Sequence, residues 1–133
     1  LYNRALQVTE NNYLAHNNLG LALHSEGRIE EAMYHYNKSI RIKPDYIFAY
    51  INRGNIYNEL GRYQLAVNDF DQAIRIKPDF SMAYYNRGLA LFNLGQYQQA
   101  IHDYTRVIHL QPDHAAAYNN RGNAYLHQGN IKQ

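Results

Sequence analysis

Cysteine is missing from the chain altogether, so disulfide and thiolate chemistry enter no account of it, and its redox compartment is left open. Long apolar runs are missing too. No stretch approaches the roughly 18 residues that span a bilayer, and no signal-peptide pattern opens the sequence. Charge of one sign is scarce: a formal net charge of +2 is too small to argue for an anionic partner. Proline is confined to Pro44, Pro78 and Pro112, which lie 34 residues apart. Against these absences, 46% of the residues are hydrophobic and 18% charged, a composition that supports a continuous core and argues against disorder.

The proline spacing is one sign of an internal repeat. AYINRGNIYNELG, from Ala49 to Gly61, recurs as AYYNRGLALFNLG from Ala83 to Gly95 and as AYNNRGNAYLHQG from Ala117 to Gly129. A looser copy, AHNNLGLALHSEG, runs from Ala15 to Gly27, and each copy begins 34 residues after the last. A fixed period of that size marks stacked copies of one supersecondary unit. Complete units run over 13–46, 47–80 and 81–114. Residues 1–12 read as the second helix of a unit whose first helix is missing, and 115–133 as the first helix of another, as in a piece of a longer array.

Inside a unit the apolar residues follow helical spacing twice, first at Tyr50, Ile51, Gly54 and Tyr57, then at Ala66, Phe70, Ala73 and Ile74. Gly61 stands between the two sets, as do Gly27, Gly95 and Gly129, and reads as the left-handed residue that ends a helix. Proline stops the second helix, and Asp45, Asp79 and Asp113 behind it are expected to cap the next one. Gly54 is expected to face Ala66, Gly88 to face Ala100 and Gly20 to face Ala32, with Tyr50, Tyr57 and Phe70 filling the space around a close helix crossing. The expected fold class is all-α, a solenoid of helix–turn–helix units.

These residues resemble the tetratricopeptide repeat (TPR) family over essentially the whole length. The resemblance is carried by Tyr50, Tyr84 and Tyr118, by Gly54, Gly88 and Gly122, and by Tyr57, Leu91 and Tyr125. Ala66 and Ala100, Phe70 and Tyr104, Ala73 and the prolines complete it. Departures are local: His16 replaces a large apolar residue, Ser39 and Val107 stand where Ala73 does, and Glu10 sits where proline is expected. The resemblance implies a right-handed α–α superhelix whose first helices line a concave face. That face would carry Asn18, Asn52, Asn86 and Asn120 in one row, with Asn55, Asn123, Phe48, Tyr85 and Phe92 beside them.

A carboxamide both donates and accepts hydrogen bonds, so such a row suits the backbone of an extended peptide or a partner helix. Bonding between neighbouring units is the structural alternative. Members that hold a peptide's terminal carboxylates resemble one another in presenting lysines and an arginine from these helices. Here asparagine, isoleucine, methionine and phenylalanine stand instead, which implies a neutral or mixed apolar ligand. Arg53 and Arg87 occur with Asp69 and Asp103, whereas Leu19 occurs with His35, so internal ion pairs are expected rather than an acid-binding stripe.

The seven histidines include no i, i+4 pair of the helical zinc type. There is no nucleophile–base set, glycine-rich phosphate loop or isolated carboxylate pair, so no metal, cofactor or catalytic residue is expected. Arg41, Lys43, Arg75 and Lys77 complement the ends of second helices and form no nucleic-acid stripe. The expected role is a protein–protein interaction scaffold with a protein or peptide as partner, without nucleic acid or direct membrane contact. Two other readings stay open. One is the substrate-selecting arm of a larger, glycosyltransferase-like enzyme, whose groove is similarly lined with asparagine. The other is self-association through the ends, where Leu1, Ala5 and Leu6, and at the far side Tyr118 and Tyr125, lack a covering helix.

Overall fold

Each pair of helical periods becomes a pair of helices joined by a tight turn. The computed structural model describes residues 12–132. Its helices are α1 Tyr13–Ser25, α2 Ile29–Ile42, α3 Ile47–Glu59, α4 Tyr63–Ile76, α5 Ser81–Asn93, α6 Tyr97–Leu110 and α7 Ala115–Lys132, with no strand among the described residues. The expected helix over residues 1–12 lies outside the described residues except for its last one. Asn12 caps α1, its side-chain oxygen accepting from the amides of Leu14 and Ala15 at 2.9 and 3.2 Å.

Gly27, Gly61 and Gly95 have φ of 79°, 74° and 77°, as their place in the repeat predicts. The turn they make is a Schellman motif. The Gly61 amide donates to the Asn58 carbonyl at 3.1 Å and the Arg62 amide to the Tyr57 carbonyl at 2.8 Å, and the other two turns repeat both bonds. Gly129 departs from the series. It lies inside α7, which runs on to Lys132. The left-handed turn serves to fold a second helix back onto the first, and none follows α7 among the described residues, so helical angles prevail.

The aspartates after the prolines are not the caps. The N-cap residues of α3 and α5 are Tyr46 and Phe80, neither with a side-chain bond to its helix. Ahead of α7 it is His114 whose Nδ1 accepts from the Ala117 amide at 3.1 Å. Asp45, Asp79 and Asp113 sit one residue earlier in an exposed turn, where Asp45 pairs instead with Lys43 at 3.2 Å.

Close crossing of paired helices depends on glycine, but not against alanine. A Cβ built on Gly54 would meet the Phe70 ring at 2.7 Å, one on Gly20 the Tyr36 ring at 2.5 Å, and one on Gly88 the Tyr104 ring at 2.7 Å. The aromatic ring of the second helix thus lies flat on the bare backbone of the first, while Ala32, Ala66 and Ala100 are fully buried elsewhere in the seam. A central core joins α3, α4, α5 and α6 through residues such as Tyr50, Phe70, Leu91 and Tyr104. Smaller clusters serve the flanks: Leu23, Tyr36 and Ile56 at one, Tyr84, Val107 and Ala117 at the other.

Candidate interaction groove

The face to be judged is built by α1, α3, α5 and α7. Every second asparagine in its row is tied to the unit before it. Asn52 Nδ2 donates to Asn17 Oδ1 at 3.0 Å, Asn86 Nδ2 to Asn55 Oδ1 at 2.9 Å, and Asn120 Nδ2 to the Tyr85 hydroxyl at 3.1 Å. Asn58 adds a longer bond to the Asn86 carbonyl, 3.4 Å. Each of these carboxamides therefore spends one N–H on holding adjacent first helices together and keeps its oxygen for another partner. Asn18 is exposed on α1 and Asn123 on α7.

Two recesses lie along this face. A groove of about 820 Å³ is bounded by Asn55, Phe80, Met82, Tyr85, Asn86 and His114. A smaller recess of about 210 Å³ is lined by Leu89, Phe92, Tyr104, Asn120 and Asn123. The structure thus brings Asn55, Tyr85 and Asn86 to the first recess and Phe92, Asn120 and Asn123 to the second. Phe48 stands outside both, edge-on to Phe80 with ring centroids 5.9 Å apart, and Asn18 and Asn52 also lie outside them. Ile51, on the same helix face by its spacing, is buried in the core instead.

Phe80 and His114 were not singled out by spacing along the first helices, because they precede those helices. The signal was present: Tyr46, Phe80 and His114 are aromatic at one repeat position. His114 stacks on Tyr85 with ring centroids 4.9 Å apart, which sets the end wall of the larger groove. At the near end Tyr13, Tyr46, Phe48 and Phe80 continue the wall as a chain of edge contacts.

The arginines behind this face are occupied. Arg53 Nε and Nη2 donate to the two oxygens of Asp69 at 2.9 and 2.6 Å, and Arg87 does the same to Asp103 at 2.8 Å in both bonds. Both pairs lie within their own unit, as the co-occurrence predicts. The third nitrogen reaches back one unit, a link the sequence reading missed: Arg53 Nη1 to Asn37 at 2.8 Å, Arg87 Nη1 to Asp71 at 2.8 Å, Arg121 Nη1 to Thr105 at 3.2 Å. Burial pushes the Asp103 carboxyl up while Arg87 pulls it back, and the bonds to Asp103 raise Arg87. Among the described residues no group of three His, Cys, Asp or Glu side chains could hold a metal ion, and no helix is long and apolar enough to cross a membrane.

Paired helices stacked in phase, with a glycine under each aromatic ring and a concave row of first helices, define an α–α repeat scaffold. Profiles described as "TPR repeat" match residues 20–61 and 54–95, and "Tetratricopeptide repeat" matches 81–114 and 103–133. The chain belongs to the tetratricopeptide repeat family, and its fold is the right-handed superhelix of that family. It is similar to the first TPR of Spaghetti (RPAP3) bound to HSP90 peptide SRMEEVD, at 26% identity and a TM-score of 0.86, covering 88% of this chain and 93% of that one. It is also similar to MamA, at 26% identity and a TM-score of 0.90, covering 96% of this chain and 75% of that one. A third similar structure is the second TPR domain of human RPAP3 in complex with HSP70 peptide SGPTIEEVD, at 26% identity and a TM-score of 0.79, covering 83% and 92%. No curated protein matches the chain.

Proposed function

We propose that this chain is a protein-interaction scaffold whose concave face holds an extended segment of a partner protein, neutral or apolar in character. The observation that carries this reading is the makeup of the two recesses: carboxamides, aromatic rings and Met82, with Asp79 the sole charged side chain apart from a histidine. The peptide-bound structures similar to it support the mode of binding. Their peptides end in EEVD, however, and this face offers no lysine or arginine to such an acidic end, since Arg53 and Arg87 are held by Asp69 and Asp103. No bond is made or broken in this role. The scaffold contributes a rigid surface prepared before the ligand arrives, which lowers the ordering cost of association.

A fluorescence-polarisation comparison of peptide pools tests the reading. Neutral pools rich in apolar residues should bind with little dependence on salt, and SRMEEVD should bind more weakly. Tyr85→Ala or Phe92→Ala should weaken the neutral ligand about ten-fold or more, by removing an aromatic contact surface. Asn120→Ala should weaken it less and cost the fold about 0.5–1.5 kcal/mol through the lost inter-unit bond. Tighter binding of SRMEEVD than of any neutral pool would overturn the proposal.

A further inference from the structure

Three faces of this molecule show what a first helix of this type carries across it. In α1, α3 and α5 a glycine lies under an aromatic ring of the second helix. In α3 and α5 the arginine before that glycine also grips a carboxylate, and the carboxylate immediately precedes the ring: Asp69 before Phe70, Asp103 before Tyr104. Ring and carboxylate arrive together, on one turn of one helix.

Helix α7 presents the same groups uncovered. Nothing lies within 4 Å of the place a Cβ would take on Gly122. Tyr118 is 45% exposed, where Tyr50 and Tyr84 at the same repeat position are 7% and 8% exposed. The hydroxyls of Tyr50 and Tyr84 donate to the carbonyls of Pro44 and Pro78 at 2.8 and 2.6 Å, a bond Tyr118 does not make. Tyr125 is exposed as well. Arg121 gives Nη1 to Thr105 and lies 5.5 Å over the Tyr118 ring, while its Nε and Nη2, the fork that grips aspartate in α3 and α5, meet no carboxylate among the described residues.

We propose that this face of α7 is a docking site for a helix of a partner protein. The helix places an aromatic ring on Gly122 and, from the residue just before it, an aspartate in the fork of Arg121. Charge complementarity selects this occupant: a neutral helix leaves the guanidinium donors unmatched, and an acidic helix without the ring leaves the glycine slot empty. The pattern is Ala-x-x-Asp-aromatic, as in residues 66–70 and 100–104. A second copy is the poorer match, because Tyr2 at its start is preceded by Leu1 and brings no carboxylate. This site is separate from the concave groove and stands or falls without it.

The probe is a stapled helical peptide with the sequence of residues 63–76, titrated into the full chain while the Tyr118 and Tyr125 ring resonances are followed by NMR. Stapling removes the helix-forming cost that a short peptide meets in water. Saturable shifts at α7 are expected. Asparagine at the peptide position of Asp69, or Arg121→Gln in the chain, should weaken binding about ten-fold or more. Gly122→Leu should abolish docking yet leave the melting temperature of the chain alone intact, since the added side chain enters open space. Shifts that ignore Gly122→Leu, or an affinity indifferent to the aspartate, would overturn the proposal. So would burial of Tyr118 and Tyr125 before any peptide is added, whether by a second copy or by the chain itself.

Discussion

The first unit, α1 with α2, and the two complete units after it solve one packing problem with different chemistry. Where α3–α4 and α5–α6 join the seam with Arg53 on Asp69 and Arg87 on Asp103, the first unit has Leu19 and His35. Its link is made one turn earlier, between His16 and His35, whose Nδ1 atoms lie 3.0 Å apart with one donating to the other, their rings stacked at 5.3 Å. The seam between α2 and α3 is also the thinnest of those joining successive helices. What the repeat holds constant is therefore the presence of a satisfied polar link under the aromatic ring, not its charge. The difference lies in what each link does when disturbed.

The largest expected effect comes from breaking a charged link on its exposed side. Asp103 is 1% exposed, so Arg87→Ala strands a buried carboxylate and should cost about 3–5 kcal/mol, read as a fall in melting temperature. His35→Ala, which removes a neutral partner, should cost less, about 1–3 kcal/mol. Equal losses would break the comparison. Next is the glycine under the ring. Gly54→Ala should cost about 1–3 kcal/mol by pushing Phe70 off the backbone, whereas Gly122→Ala should stabilise by up to about 1 kcal/mol, because α7 has nothing there to strike.

A smaller effect of opposite sign belongs to the first unit. The Tyr36 hydroxyl is buried without a hydrogen-bond partner, and burial, with the charge of Glu59 behind it, pushes its pKa up to about 12. The next unit places Phe70 at the same position. Tyr36→Phe should therefore leave denaturant stability unchanged or raise it by about 1 kcal/mol, unlike most core changes.

The smallest effect is the link's response to pH. Burial chiefly, then the charge of His16, with Lys38 adding to it and Glu31 opposing, lowers the pKa of His35 below its ordinary 6.5. The folded chain then binds fewer protons than the unfolded chain just below that value. The stabilisation is present above about pH 6.5 and is lost as pH falls through it toward the lower folded-state value. Hydrogen exchange at pH 7.5 and 5.5, corrected for intrinsic rates, should show α1 and α2 opening more readily at the lower pH while α5 and α6 change less. Uniform change along the array would count against the distinction.

Most of the fold was legible because period is a strong signal. A glycine and a proline each returning every 34 residues place helices and turns without reference to any contact. The charged links were legible too, through the co-occurrence of Arg53 with Asp69 and of Leu19 with His35. What spacing does not carry is side-chain direction. It put Ala66 opposite Gly54, where Phe70 reaches across, and it made caps of aspartates one residue short of Tyr46, Phe80 and His114. The bonds from Asn52 to Asn17 and from Asn86 to Asn55 depend on how far each unit rotates on the last, a quantity no single repeat contains. The same rotation decides that Arg53 and Arg87 each reach back to the previous second helix, at Asn37 and Asp71.

The turn glycines carry a consequence of another kind. At Gly27, Gly61 and Gly95 a Cβ would find open space, and the obstacle to a side chain is φ alone. The constraint is thus one of handedness and not of room. A mirror-image residue prefers positive φ, so a semisynthetic chain with D-alanine at Gly61 should fold as before and melt higher, by restricting the unfolded chain, while L-alanine at that position should melt lower. In this molecule the path from each first helix to its second is written in chirality.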